Sequence, residues 1–392
     1  MSAGVFIAAA KRSAIGRLNG ALANLPAAQI GAQVVAAMLN DAGVDPAAVD
    51  DVLIGQVLSG GAGQNPARQT ALAAGIPEAV PAMTLNMVCG AGQRSIHLAA
   101  QAIKSGDAGL VVAGGQDSMS QAPHFAHLRG GRKMGDAAFK DMMLTDGLWD
   151  AFHDVHMGVT VENLAKTYQI TREEQDLFAL QSQAKAKAAQ DAGIFAEEIT
   201  PVLVETRAGQ TSFRVDEHPN PETTPEQLAA MRPVFDPHGS ITAGNASGLN
   251  DGASAVLVAS RAALAQHGLE PMARVASYAS AALPPMDMGL GPVLAARKAL
   301  DKAGWSVADL DVLEINEAFA AQSIAVEREM GWARERVNPN GGAIALGHPL
   351  AGSGNRIVVT LIHEMRRQKA RKGLAALCIG GGQGVAICLE RV

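Results

Sequence analysis

Short apolar runs and amphipathic stretches alternate along this chain, which is the pattern of buried strands separated by helices. A helix is predicted at residues 27–39. Its Ile30, Val34 and Met38 recur at the spacing of one helical face. A second helix is predicted at residues 94–103. Buried strands are predicted at residues 5–10, 52–55, 82–85 and 110–115. Alternation of this kind is typical of the α/β class.

The second half of the chain repeats the order of the first half. Asp311-Val312-Leu313 corresponds to Asp51-Val52-Leu53. Gly352-Ser353-Gly354-Asn355-Arg356 corresponds to Gly90-Ala91-Gly92-Gln93-Arg94 at nearly the same offset. We therefore predict two copies of a βα-rich unit, with an active site in the crevice between them.

Residues 119–248 differ in texture from the two copies. They contain most of the histidines, several prolines, and a helix that begins with a capping box at Thr171 and Glu174. Insertions of this kind often supply the walls of a binding site, and we expect the same here.

Composition narrows the class further. The chain is 48% hydrophobic, carries a net charge of −6 and lacks blocks of like charge, which argues against a nucleic-acid surface. Its three cysteines, Cys89, Cys378 and Cys388, have no CxxC spacing and favour a reducing compartment. No apolar run has the length of a membrane span, and no spacing predicts a metal site. We expect a cytoplasmic protein without nucleic-acid, membrane or metal partners.

Cys89 is the first candidate for chemistry. It lies at the predicted turn between strand 82–85 and helix 94–103, where the free N–H groups of a helix start favour thiolate over thiol. Gly90 and Gly92 are expected to let a substrate approach the backbone closely. The alternative is a small buried cysteine at the start of a core helix.

Three further stretches place a polar or reactive side chain at a strand end, beside glycine-rich backbone. They are Asn316-Glu317-Ala318-Phe319, Gly347-His348-Pro349 and Cys378-Ile379-Gly380-Gly381-Gly382. Taken singly, His348 could be a core histidine, Cys378 a buried strand residue and Asn316 a helix N-cap. Together with Cys89 they supply a nucleophile, a base and oxyanion donors, which favours catalysis.

With Cys89, these motifs resemble the thiolase family over essentially the whole chain, most closely its biosynthetic acetoacetyl-CoA thiolases. The resemblance implies duplicated βα domains with mixed sheets in a layered α/β/α/β/α arrangement, plus an inserted loop domain. It predicts an N-terminal domain at 1–118, completed by about 249–270. The inserted domain, for CoA binding and tetramer contacts, is predicted at 119–248, and the C-terminal domain at 271–392.

The resemblance also implies the chemistry. Cys89 would attack an acyl-CoA thioester while His348 takes its proton, and Cys378 would then remove a proton from a second acetyl-CoA. One oxyanion would be held by His348 and a water positioned by Asn316, the other by the backbone N–H groups of Cys89 and Gly380. The partners implied are acetyl-CoA, acetoacetyl-CoA and CoA, which are substrates and products, so no further cofactor is expected.

Family positions also predict the substrate-binding residues. Met157 and Met288 would shorten the acyl pocket, although both could equally be core residues. Residues 123–131 resemble the loop through which biosynthetic members assemble as homotetramers. The predicted CoA and acyl contacts are Leu148, His156, Met157, Phe235, Ala243, Ser247, Met288, Ala318 and Phe319.

Two positions of this chain depart from the family pattern. Ala351 stands where a glycine is frequent and would cost about 1 kcal/mol if its φ were positive. Asn220 stands where some members place an arginine against the adenine.

Three other functions remain as alternatives to a biosynthetic thiolase. They are a degradative 3-ketoacyl-CoA thiolase, a decarboxylating ketoacyl synthase, which would not have Cys378, and a catalytically silent CoA- or lipid-binding relative.

Overall fold

The computed structural model describes residues 4–207 and 209–392. Its strands are β1 Val5–Ser13, β2 Gly16–Arg17, β3 Asp51–Gly55, β4 Ala82–Leu85, β5 Leu110–Ser118, β6 His124–Phe125, β7 Lys140–Asp141, β8 Trp149–Asp150, β9 Val155–His156, β10 Ile199–Thr200, β11 Val202–Thr206, β12 Gly209–Phe213, β13 Asn250–Ser260, β14 Ala273–Ala282, β15 Val312–Ile315, β16 Lys372–Ile379 and β17 Gln383–Glu390. Its α-helices are α1 Ala27–Asp41, α2 Pro66–Ala73, α3 Ala91–Ser105, α4 Met157–Thr167, α5 Arg172–Asp191, α6 Pro225–Ala230, α7 Arg261–His267, α8 Gly291–Ala303, α9 Ala320–Met330, α10 Ala343–Leu346 and α11 Ala351–Gln368.

The predicted repeat is confirmed by the order of the strands. One sheet runs β15-β16-β17-β14-β1-β13-β5-β3-β4, with β10 paired to β1 and β2 paired to β13. The order β1-β13-β5-β3 on one side is mirrored by β14-β17-β16-β15 on the other. Both halves are mixed, since β3 and β5 are parallel, as are β15 and β16, while β1–β13, β13–β5, β14–β17 and β16–β17 are antiparallel.

A short seam joins the two halves into one sheet. It consists of two residue pairs between β1 and β14, Phe6 with Arg274 and Ile7 with Ala273. The sequence predicts a duplicated unit but not this pairing, because β1 and β14 become neighbours only when the two units pack together.

Helices α3 and α11 form the central layer. α3 packs on β3 and β5 of the first half and reaches β17 of the second, while α11 contacts β5 and β13 as well as β15 and β16. Helix α1 packs on the outer face of β5 and β13, and α8 on that of β14, β16 and β17. The predicted five-layer arrangement is thus present, and the starts of both central helices meet in its middle.

The inserted segment is built around α4 and α5. The capping box at the start of α5 is confirmed, with the Thr171 and Glu174 side chains each bonded to the other's backbone N–H. Apolar side chains of α4, α5 and α9 form one core with Cys378 at its edge. The insertion is thereby packed onto the catalytic end of the C-terminal copy. The domain limits given above stay a prediction.

Within the described residues, none of the helices combines the length and hydropathy needed to cross a membrane. Exposed apolar side chains occur between α3 and α4, including Leu128, Met134 and Phe139. They lie in and beside the loop predicted to join four chains. The homotetramer stays a prediction, which sedimentation of the purified protein would measure.

Candidate active site

Cys89 lies in a tight turn between β4 and α3, as predicted. The preceding Val88 has a φ of 45°, a left-handed conformation that costs a β-branched residue energy. Two hydrogen bonds hold it there: the Asn86 side chain accepts from the Val88 N–H at 2.8 Å, and the Ala91 N–H donates to the Val88 carbonyl at 3.0 Å. The turn delivers the thiol to the N-terminal end of α3.

Gly90 and Gly92 serve a different purpose from the one expected. A Cβ at Gly90 would lie 2.3 Å from the Ile379 side chain, and one at Gly92 would lie 2.3 Å from the Ala351 carbonyl oxygen. The two glycines therefore admit neighbouring protein, not substrate. The expectation that they let a substrate approach was wrong.

One apolar cavity of about 290 Å³ gathers the candidate residues. Every residue predicted for catalysis or binding lines it except Asn316. They are Cys89, Leu148, His156, Met157, Phe235, Ala243, Ser247, Met288, Ala318, Phe319, His348, Cys378 and Gly380.

Asn316 is fully buried behind the cavity wall. Its backbone N–H donates to the Ala376 carbonyl at 3.0 Å, which places it at the end of β15 beside β16. It does not cap a helix, because α9 begins at Ala320. Neither atom of its side-chain amide has a protein partner, and buried amides of this kind ordinarily bind solvent or ligand.

His348 is held by side chains on both sides. The Asn250 side chain accepts its backbone N–H at 2.9 Å, and Nδ1 of the ring lies 2.5 Å from the Ser353 Oγ. The non-glycine residue with positive φ in this loop is Leu350, at 33°, while Ala351 is the first residue of α11. The cost considered for Ala351 does not arise, because that position needs no left-handed backbone.

Asp117 connects the loops on either side of the cavity. One carboxylate oxygen accepts from the backbone N–H of Leu58 at 2.9 Å, and the other accepts from that of Ala351 at 2.9 Å. The side chain is fully buried, and burial together with Asp251 raises the pKa of Asp117 to about 7. This carboxylate ties the start of α11, and hence the His348 loop, to the first half of the molecule.

Burial keeps the reactive groups uncharged. It raises the pKa of the Cys89 thiol to about 11, although the N–H groups of Gly380 and Cys89 donate to the sulfur and act in the opposite direction. It raises the pKa of Cys378 as well, with Cys89 adding to the effect. Burial and Arg356 lower the pKa of His348 to about 4. The expectation that the helix start favours thiolate over thiol was wrong, because desolvation outweighs the two N–H donors.

Aromatic rings form one wall of the cavity. His156 stacks on Phe235 with centroids 4.5 Å apart, and Phe235 meets Phe319 edge to face at 6.3 Å. The His156 Nδ1 accepts from the Gly158 N–H at the start of α4. Since Nδ1 accepts, the ring proton of neutral His156 is on Nε2. Met157 and Met288 are 7% and 3% exposed, so each is both a cavity residue and a core residue.

Sequence reasoning missed several residues of the site. Ser353 and Asp117 stand next to predicted features, but the contacts they make with other loops cannot be read from local pattern. β5 was predicted to end at 115, whereas it continues to Ser118 and so carries Asp117 inward. The cavity residues not predicted are Met119, Leu144, Gly147, Val234, Thr242, Ala246, Gly248, Leu249 and Leu350.

The nucleotide-end position, Asn220, is exposed and does not line the cavity. Its backbone N–H donates to the Gln183 side chain at 2.9 Å. Contacts to an adenine at this position therefore stay a prediction.

Similarity to known proteins agrees with this geometry. Residues 5–262 match the model of the thiolase N-terminal domain, and residues 269–391 match that of the thiolase C-terminal domain. The chain belongs to the thiolase family.

Relatives narrow the comparison within that family. The chain is 58% identical to the acetyl-CoA acetyltransferase of Pseudomonas aeruginosa, over 99% of each chain. It is 55% identical to that of Cupriavidus necator, again over 99% of each. Among solved structures, the acetyl-CoA acetyltransferase of Bacillus anthracis superimposes with a TM-score of 0.98 at 43% identity, covering 100% of this chain and 99% of that one. Human mitochondrial 3-ketoacyl-CoA thiolase in complex with CoA gives 0.96 at 44% identity, covering 100% and 98%.

Proposed function

We propose that this chain is an acetyl-CoA C-acetyltransferase, which condenses two molecules of acetyl-CoA to acetoacetyl-CoA and CoA and runs in reverse as thiolysis. The observation that carries the proposal is that Cys89, His348 and Cys378 line one apolar cavity. The names of the full-length relatives support the short-chain substrate.

In the first half-reaction the Cys89 thiol gives its proton to His348. The thiolate then attacks the carbonyl carbon of acetyl-CoA, the C–S bond to CoA breaks, and the leaving sulfur takes the proton of the Cys378 thiol, which leaves Cys378 as a thiolate. The product is an acetyl-Cys89 enzyme and free CoA. Because Cys89 is uncharged at rest, the nucleophile forms only as its proton moves to His348.

In the second half-reaction Cys378 acts on a second acetyl-CoA. Its thiolate sulfur takes a proton from the methyl carbon, and the resulting carbanion attacks the acetyl group on Cys89. The C–S bond to Cys89 breaks, acetoacetyl-CoA is released, and the Cys89 thiolate takes back the proton held by His348. Burial raises the pKa of Cys378, which makes its thiolate a stronger base once it has formed.

Backbone N–H groups are available for the oxyanion on Cys89. Those of Gly380 and Cys89 already donate to the thiol sulfur, so they point to where an acyl oxygen on that sulfur would develop charge. We assign the second oxyanion to His348 and to a solvent molecule held by Asn316. That assignment fits a buried amide with two unbonded polar atoms close behind the wall.

Thiolysis measures the proposal directly. Purified protein with CoA is expected to cleave acetoacetyl-CoA rapidly and a medium-chain 3-ketoacyl-CoA at least about 10-fold more slowly, because one methylene alone is worth about 10-fold or more in a filled pocket. Cys89→Ala serves as the inactive control. Equal cleavage of both substrates would reassign the chain to the degradative class, and cleavage of neither would remove the enzyme assignment.

Two variants test the limit on the length of the acyl chain. Met157→Ala or Met288→Ala is expected to raise cleavage of the longer substrate relative to acetoacetyl-CoA, because both side chains line the cavity. Met330→Ala is the matched control, since this methionine is equally buried but packs in a different core. A change in the ratio with Met330→Ala, or none with the other two, would contradict the proposed pocket.

A further inference from the structure

One nitrogen of the His348 ring, Nδ1, has a hydrogen-bond partner. Nδ1 lies 2.5 Å from the Ser353 Oγ, and no other described side chain bonds that hydroxyl. No described residue forms a hydrogen bond to Nε2, while the ring lines the cavity shared with Cys89. The ring is therefore anchored at one nitrogen and open at the other.

We propose that Ser353 is a positioning residue for His348: its hydroxyl accepts the Nδ1–H, so that Nε2 carries no proton at rest and takes the one from Cys89. This inference rests on the proposed function and names the group that prepares its base. A neutral imidazole has one N–H, so fixing it on Nδ1 leaves Nε2 as the acceptor.

Proton and charge balance through the step. The Sγ–H bond of Cys89 breaks, its proton forms a bond to Nε2, and the neutral pair becomes a thiolate and an imidazolium. Nδ1 keeps its proton and its bond to Ser353 throughout. That bond becomes charge-assisted, and so stronger, when the ring becomes positive. Nε2 keeps this proton while His348 faces the second oxyanion, and returns it to the Cys89 sulfur when acetoacetyl-CoA leaves, which restores the starting ring.

The surroundings explain why a hydroxyl suits this position. Arg356 on α11 opposes a positive ring, whereas the thiolate formed on Cys89 favours one. Cys378 at the end of β16 is uncharged. A carboxylate on Nδ1 would raise the pKa of the ring further than a neutral hydroxyl does. A hydroxyl stabilises the imidazolium only moderately and leaves it able to return its proton.

Ser353 is itself rigidly placed. It is fully buried in the first turn of α11, and its N–H donates to the Leu350 carbonyl at 3.0 Å. The neighbouring Ser254 hydroxyl donates to the Gly352 carbonyl at 2.7 Å, which anchors the same turn without touching the imidazole. Ser254 therefore provides a control that shares the helix start but not the ring.

The test is alkylation of Cys89 by iodoacetamide as a function of pH, read from the Cys89 peptide by mass spectrometry. At neutral pH the thiolate must come from proton transfer to His348, whereas near pH 10.5 hydroxide produces it directly, because the pKa of the thiol is about 11. Ser353→Ala is expected to lower the neutral-pH rate about 10- to 100-fold, the range for losing a hydrogen bond to a charged group. The rate near pH 10.5 should stay within about twofold of wild type.

Controls separate positioning from a general structural effect. Ser254→Ala should leave the ratio of neutral to alkaline rates unchanged, and Ser353→Cys, with a weaker acceptor, should give an intermediate ratio. It also keeps the test open if Ser353→Ala does not fold, which circular dichroism reports. A Ser353→Ala rate equal to wild type at neutral pH, or lowered equally at both pH values, would overturn the proposal. Because alkylation needs no CoA substrate, this outcome is independent of the thiolysis result.

Discussion

The nucleophile and the base are both kept neutral by burial. The pKa of Cys89 is raised to about 11 and that of His348 is lowered to about 4, so near pH 7 the pair carries no charge. A thiol is much less reactive toward oxidants than a thiolate. As a thiol, Cys89 is therefore better protected at rest than the thiolate that its place before a helix would favour.

The sequence predicts which residues react but not how they are held. Cys89, His348 and Cys378 could be found because each stands at a strand end in a glycine-rich motif. Ser353 and Asp117 could not, since their importance depends on a contact across loops and on burial. For the same reason the sign of the Cys89 pKa shift was wrong, because desolvation is a property of the folded site.

Asp117 is expected to be needed for the geometry of the His348 loop. In Asp117→Asn, one of the two oxygens becomes an NH2 group, which would face the N–H donor of either Leu58 or Ala351. We expect a loss of about 1 to 3 kcal/mol in the free energy of unfolding, together with slower thiolysis. Urea unfolding and steady-state rates measure the two effects.

The matched control for this change is Asp50→Asn. Asp50 also accepts two backbone N–H bonds, from Gly109 and Leu110, but at an exposed position where water can replace them. Its unfolding free energy should change by no more than about 0.5 kcal/mol. Similar losses in both variants would mean that burial of Asp117 has no special role.

At the level of elements, the close packing of the two central helices depends on glycines, which have no side chain. Gly92 in α3 faces the Ala351 carbonyl, and Gly354 in α11 would place a Cβ 2.8 Å from the Gln93 nitrogen. The helix starts can approach closely only because both positions are glycine. This contact fixes the separation of the loops that carry Cys89 and His348.

Gly92→Ala is expected to push the helix starts apart. The added methyl group would lie 2.3 Å from a backbone oxygen, which cannot rotate away as a side chain could. We expect a loss of about 2 to 3 kcal/mol in unfolding free energy and a larger relative loss of thiolysis, measured by urea unfolding and initial rates. In Gly130→Ala, where the new methyl meets nothing within 4 Å, both should be close to wild type. Full activity in Gly92→Ala would contradict the role of the close approach.

Most elements could be predicted from local pattern. The helix with Ile30, Val34 and Met38 on one face, the capping box of α5 and the β4 strand lie where their sequences indicate. The seam between β1 and β14 could not be predicted, because it pairs residues more than half the chain apart. Periodicity specifies elements well but leaves the choice of their neighbours to packing.

For the whole molecule, the buried thiols are expected to make the folded state less stable at alkaline pH. Burial raises the pKa of Cys388 to about 11 and also raises that of Cys378, so unfolded chains release these protons first. The folded state then holds more protons, and stability falls as pH rises above about 9. We expect a loss of up to about 1.4 kcal/mol per pH unit for each thiol, measured by urea unfolding between pH 8 and 10.5.

Cys388→Ala isolates one of these thiols without touching the cavity. Cys388 is fully buried in β17 and does not line the active site. The free energy of unfolding of this variant is expected to fall less steeply above pH 9 than that of wild type, whatever its value at pH 8. An identical slope would show that Cys388 does not contribute.

The mirrored strand order has a consequence for how this chemistry could arise. Cys89 stands in the loop before α3 and His348 in the loop before α11, so nucleophile and base lie on corresponding loops of the two copies, at different positions within them. In two identical subunits any change in this loop would appear twice. Within one chain each loop can change alone, so that one copy supplies the nucleophile and the other the base.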